Sequence, residues 1–234
     1  MLVRIIRTIF GILLLPLAFA SGKAFYLAIS TISIFSNSLR LLERGAFAYL
    51  IFHIFFFRPA YVYVFGHELV HALACVLSGG KVTEFRVTRE GGGVVTSKTN
   101  FFIELSPYFV PIYTILFGIV YALLRAFSAE FRHMPETFLF VTGFTLAFHF
   151  VMTSEVLRLK QPDILRSGYI FSFVVVFVGN ILVLMAVFSP ILGLDIGSFF
   201  RDLYSIGLEA YSYAADKAEQ GLTAAVAWYN DLLV

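Results

Sequence analysis

Phe65-Gly66-His67-Glu68-Leu69-Val70-His71-Ala72-Leu73-Ala74-Cys75-Val76-Leu77-Ser78-Gly79-Gly80 is the stretch on which the reading of this chain turns. It closes an apolar run that begins at Ala60, just after Arg58-Pro59, and that Ser78-Gly79-Gly80 stops. Proline starts helices and glycine ends them, so the punctuation predicts one helix over Ala60 to Leu77. Within that helix an ionisable side chain costs roughly 2.5–3.5 kcal/mol if the surroundings are lipid. Three such groups within five residues therefore need a compensating interaction.

The rest of the chain supplies the lipid. Of 234 residues 59% are hydrophobic and 14% charged, and mean hydropathy is +0.87. Soluble domains are about 45–50% apolar and about 25% charged, so this chain lacks the polar surface to cover a water-soluble body. Twenty-eight Phe, 12 Tyr and one Trp exclude a solvated disordered chain. A net charge of +2 with pI about 8.6 is too mild for a nucleic-acid partner. The single cysteine, Cys75, excludes an intrachain disulfide framework.

Charge-free runs mark the spans. Leu105 to Leu124 is 20 residues without a charge, Tyr169 to Leu194 is 26, and Thr137 to Leu157 is 21 with only Glu155 charged. Each is long enough to cross roughly 30 Å of hydrocarbon. At the N-terminus Arg4 and Arg7 precede the apolar run Thr8 to Gly22, and Ala18-Phe19-Ala20 resembles a signal-peptidase site. The apolar character resumes after Lys23 and reaches Leu39. The segment is read as a membrane helix broken near Ser21-Gly22, with a cleaved signal over residues 1–20 as the alternative. A short apolar run from Gly45 to Phe57 brings the expected count to five or six spans.

Between Val82 and about residue 97 the period changes to two, around Gly91-Gly92-Gly93, which predicts a β-hairpin. Past Asp195, Phe199, Leu203 and Ile206 recur at helical spacing among acidic residues. Residues 195–234 therefore read as an amphipathic helical tail on the membrane or on the bundle. The expected fold is an all-α polytopic membrane domain over residues 1–194, with one hairpin after the histidine helix. Lys81, Arg86, Arg89, Lys98, Arg158, Lys160 and Arg166 share one side of it, against Arg125, Arg132, Arg201 and Lys217 on the other. Seven against four assigns the first set to the cytoplasm.

On a helix His67 and His71 project from one face one turn apart, a spacing that lets both bind one Zn²⁺. Glu68 beside them is placed to take a proton from water acidified by the metal, the logic of H-E-x-x-H hydrolases. A hydrogen-bonded trio without metal is the plainer alternative.

Gly66-His67-Glu68-Leu69-Val70-His71-Ala72-Leu73-Ala74, then Ser78-Gly79-Gly80-Lys81-Val82 and a glycine-rich strand pair, resembles the site-2 protease family of intramembrane zinc metalloproteases. The similarity is to small members without an inserted peptide-binding domain, over roughly Tyr61 to Asn180. The resemblance implies zinc ligands at His67 and His71, a catalytic base at Glu68, and a hairpin edge that takes an unwound substrate helix as an extra strand. The family's third ligand is an aspartate in an Asp-Gly context, which this chain lacks. Its nearest counterpart is Gln161-Pro162-Asp163, with Gly168 five residues on.

Depth suggests another donor. His71 is 10 residues from Lys81 and His149 is 9 from Arg158, so both lie at similar depth, about 13–15 Å from one membrane side. Resemblance therefore favours Asp163 and simple geometry favours His149, with Glu104 behind them. Cys75 and His53 read as core and hydrogen-bonded residues, His133 as a solvated loop residue, and Asn180 as an interhelical hydrogen-bonder. Pro107 and Pro111 read as a kink.

The expected activity is hydrolysis of peptide bonds in or near membrane-spanning segments of other proteins, with Zn²⁺ as cofactor and the lipid bilayer as surroundings. A non-proteolytic membrane adaptor that keeps the scaffold is the alternative, and a metal transporter using His67, His71, His149 and Asp163 is a third. With no peptide-binding insertion visible, a regulatory membrane partner, the tail or the hairpin is expected to select substrates.

Overall fold

The computed structural model describes residues 2–88, 91–127, 135–159 and 161–232. Arg89, Arg132, His133 and Lys160 lie outside these residues. The chain forms α1 (Leu2–Leu13), α2 (Leu15–Ser30), α3 (Asn37–Phe55), α4 (Ala60–Leu77), β1 (Val82–Val87), β2 (Gly92–Thr96), α5 (Phe101–Leu105), a 3-10 turn (Ser106–Tyr108) and α6 (Ile112–Phe127). It continues through α7 (Pro135–Leu157), α8 (Pro162–Ser167), α9 (Tyr169–Leu192) and α10 (Ile196–Asp231). Among the described residues, four helical stretches are long and apolar enough to cross a membrane: Ile5–Ser30, α4, α7 and α9. A fifth span results if α5, its 3-10 turn and α6 count as one. The protein is an integral, multi-pass membrane protein.

One break differs from the expected one. The N-terminal span breaks at Leu14 rather than near Ser21-Gly22, because Pro16 sits in the first turn of α2 and cannot continue the ladder of α1. That span ends at Ser30, not Leu39, and α3 starts afresh at Asn37. The run from Leu105 to Leu124 breaks where its prolines predict a kink. Pro107 and Pro111 bend it by 76° between Tyr108 and Ile112, so that backbone without regular helix lies inside the protein, where neighbours satisfy it.

The tightest packing joins α3 to α7, which run parallel. A Cβ on Gly45 would lie 1.9 Å from the Phe140 carbonyl oxygen, and one on Gly143 would lie 2.0 Å from that of Leu42. Only glycine permits this approach, the small-residue packing typical of helices in membranes, where lipid removes the hydrophobic drive. Tyr49 then wedges edge-on against Phe144 and Phe148 at 5.2 and 5.5 Å. α6 returns antiparallel along α7 through Thr114–Thr145 and the stacked rings of Tyr121 and Phe138.

A second layer is built from α2, α9 and α10. Ala20 and Ala24 pack against Ile181, Met185, Phe199 and Ile206, with Leu203 beside them. The first three turns of the tail thus lie on the bundle through the residues whose spacing predicted an apolar stripe. Asp195 caps α10, its Oδ1 accepting from Gly197 N at 2.8 Å, and the hydrogen bonds from Ser198 and the backbone hold its carboxyl below the usual range. Beyond Tyr211 the helix is exposed.

Candidate metal centre

α4 carries the histidines and ends as the sequence predicts. Gly79 adopts φ +71°, and Gly80 N donates back to the Cys75 carbonyl at 2.8 Å, a closure that needs glycine at the left-handed position. Lys98 Nζ and Asn100 Nδ2 bond Ser78, which anchors the start of α5 beside that end. Asn100 then caps α5 by accepting from Ile103 N at 2.8 Å.

The capped residue, Ile103, also holds a histidine. The Ile103 carbonyl accepts from His71 Nδ1 at 2.7 Å, which fixes the ring and leaves Nε2 free. Nε2 of His71 lies 3.4 Å from Asp163 Oδ2, and Nε2 of His67 lies 4.0 Å from the same oxygen. Asp163 stands in the first turn of α8, which Pro162 starts and Gly168 (φ +87°) ends. Tyr108 donates to the same Oδ2 at 3.2 Å. Burial pushes the Asp163 carboxyl upward, yet the His67 and His71 imidazoles beside it outweigh that and hold it far below the ordinary range.

His67, His71 and Asp163 offer donor atoms within 4.8 Å of one another. Two imidazole nitrogens and one carboxylate with an open fourth side are a catalytic-zinc donor set, and tetrahedral coordination sets donors roughly 3.4 Å apart. The histidine–aspartate separations need only slight closing to reach this, so the residues fit the ion.

The other candidates stand apart from this cluster. His149 is buried but lies outside the ligand cluster. Equal depth along two helices does not settle which way a ring faces. Glu104 is buried and engaged elsewhere: Ser167 donates to it, and Arg7 lies 3.8 Å away while also donating to the Arg166 carbonyl. No sequence pattern signalled this Arg7–Glu104–Ser167 group, because its members come from three distant elements. Cys75 is fully buried with its Sγ toward the Lys81 carbonyl. His53 is held by Tyr49 and Glu155, and Asn180 bonds the Tyr108 carbonyl across helices.

The three donors open on a cavity of about 510 Å³ lined also by Glu68, Tyr63, Val156 and the backbone of residues 91–94. The antiparallel hairpin pairs Val87 with Gly92 and Arg86 with Gly93, with a bulge between Val82 and Glu84. β2 borders this cavity. A Cβ on Gly92 would meet Glu68 Cγ at 2.6 Å, so the strand can lie over the carboxylate only with glycine there.

Fold and site together define a polytopic membrane protein with a His-Glu-x-x-His helix and a converging aspartate, the class of membrane-embedded metallopeptidases. The chain belongs to the Peptidase M50B-like family, which matches residues 45–196, in agreement with the resemblance to site-2 proteases. No curated protein and no solved structure matches it.

Proposed function

We propose that this protein is an intramembrane zinc metalloprotease that hydrolyses peptide bonds in or near membrane-spanning segments of other proteins. The observation that supports this most strongly is the convergence of His67 Nε2, His71 Nε2 and Asp163 Oδ2 at one end of a cavity that Glu68 also lines. When bound, zinc supplies a Lewis acid that polarises a carbonyl and acidifies water.

The chain's own residues do the rest. His67, His71 and Asp163 hold the ion, and the Ile103 carbonyl and Tyr108 hydroxyl hold two of those ligands in place. Glu68 accepts a proton from the attacking water and returns it to the leaving amine. Among the described residues β2 pairs with β1 on one side only, so its other edge offers backbone groups to an extended substrate. A membrane helix must unwind to use that edge, which selects substrates with weak helices. Further selection falls to a regulatory partner, the hairpin or the tail.

The test uses purified protein in lipid vesicles with a single-span reporter whose apolar helix carries a central Asn-Gly pair. Wild-type protein is expected to hold one zinc per chain and cut the reporter, and Glu68→Gln to keep the zinc and lose the cutting. Full activity of Glu68→Gln contradicts the mechanism. A chain without stoichiometric zinc is the outcome that an adaptor would give. Metal flux into vesicles that survives Glu68→Gln would instead favour a transporter.

A further inference from the structure

His67 and His71 are supported unequally. His71 Nδ1 has the Ile103 carbonyl, whereas His67 Nδ1 is buried and has no hydrogen-bond partner among the described residues. A metal-ligating histidine ordinarily gives its second ring N–H to an acceptor, which fixes tautomer and orientation. An orphaned buried N–H costs about 1–3 kcal/mol.

A second orphan lies close by. His149 Nε2 is buried and also has no partner among the described residues, while the ring's other nitrogen faces the Tyr108 backbone. His67 and His149 both line one small cavity of about 10 Å³, whose other walls include Val70, Val110, Ile112 and Phe148. That volume suits about one water, and a buried water needs two to four polar partners. Tyr63 and Tyr113 border it too, but their hydroxyls are committed to Thr153 and to the Val62 carbonyl.

One water can serve both nitrogens in either metal state. Without metal, His67 keeps Nε2–H toward the ionised Asp163 and its Nδ1 accepts from the water; with metal on Nε2, Nδ1–H donates to it. His149 turns its other nitrogen to the Tyr108 backbone and presents Nε2 as an acceptor. We propose that His149 is a positioning residue of the metal centre, which fixes the angle of His67 through one buried water held between the two rings. The proposal rests on the metal reading for its effect on zinc, but not for the water.

The test compares wild type, His149→Phe, which fills the cavity and removes the acceptor, and His149→Gln, which keeps one. In metal-free protein with ¹⁵N-labelled histidine, wild type is expected to show His67 as the Nε2–H tautomer with a hydrogen-bonded Nδ1, and magnetisation transfer from water to both rings. His149→Phe should abolish the water signal and return the His67 Nδ1 shift to that of an unbonded nitrogen, and His149→Gln should restore most of both. Zinc affinity should fall about 10–100-fold in His149→Phe and recover in His149→Gln. No water transfer in wild type, or an unchanged His67 Nδ1 shift in His149→Phe, overturns the proposal. Wild type that binds no zinc but shows the Nδ1 change supports the role of His149 while contradicting the metalloprotease reading.

Discussion

Two clusters among the described residues combine histidine with carboxylate, and they are opposites. Between α3 and α7, His53 Nδ1 meets the Tyr49 hydroxyl at 3.1 Å and His53 Nε2 meets Glu155 at 3.3 Å, with Arg58 3.6 Å from the same carboxylate. Both ring nitrogens are spent within the protein, and among the described residues no third metal-ligating side chain joins them. Between α4 and α8, each histidine instead turns Nε2 toward one carboxylate at the edge of a 510 Å³ cavity. The same residue types make a closed tie in one place and an open donor set in the other. What separates them is whether a nitrogen lone pair is left facing space.

The packing around the clusters differs in the same sense. Gly45 and Gly143 draw α3 and α7 to backbone contact, whereas the bend at Pro107 and Pro111 keeps α5 and α6 from closing on α4 as one straight helix. The first region should therefore answer mutation in stability and the second in activity.

The largest contrast is expected between the carboxylates. Glu68→Gln should lower cleavage about 10²–10⁴-fold with zinc retained, while Glu155→Gln should leave cleavage within about twofold, since only structural hydrogen bonds weaken. Reporter cleavage with zinc analysis measures both. Next comes the helix pair: Gly143→Leu should cost about 3 kcal/mol or more, because the added side chain overlaps the Leu42 carbonyl and neither backbone can yield. Thermal unfolding in detergent reads this, and an unchanged Tm would remove the distinction between the regions.

A smaller effect separates two neighbouring glycines. Gly92→Ala should lower cleavage about tenfold by pushing β2 off Glu68 or displacing its carboxylate, whereas Gly93→Ala, whose Cβ meets nothing within 4 Å, should be neutral. Equal activity of the two variants would separate the hairpin from the catalytic carboxylate. The smallest is Arg7→Ala, expected to weaken zinc binding a few-fold through Glu104, Ser167 and the end of α8. Arg7→Lys should restore part of it, as isothermal titration with zinc can show.

Much of this contrast could be read from the residues, because local rules govern it. The bounds of α4 follow from Pro59 and Gly79-Gly80, the hairpin from its alternation and glycines, and the pairing of His67 with His71 from helical spacing. Asp163 came from resemblance, against a depth estimate that favoured His149. Depth is silent about rotation, and the His149 ring lies on the wall of a smaller cavity instead of with the ligand cluster. The glycine contacts of Gly45 and Gly143 were invisible for a related reason: an isolated glycine in an apolar helix does not announce the helix it touches. The break at Leu14 was misplaced because Ser21-Gly22 looks like a breaker, yet Pro16 is the residue that lacks an N–H.

The central claim is that His67, His71 and Asp163 hold a zinc ion while His53 and Glu155 do not. It is tested most directly by zinc stoichiometry and zinc-edge X-ray absorption on purified wild type, His71→Ala and His53→Ala. The account predicts one zinc per chain in wild type and in His53→Ala, with nitrogen ligands at about 2.0–2.1 Å, and no stoichiometric zinc in His71→Ala. Zinc retained in His71→Ala, or lost in His53→Ala with the fold intact, would contradict it.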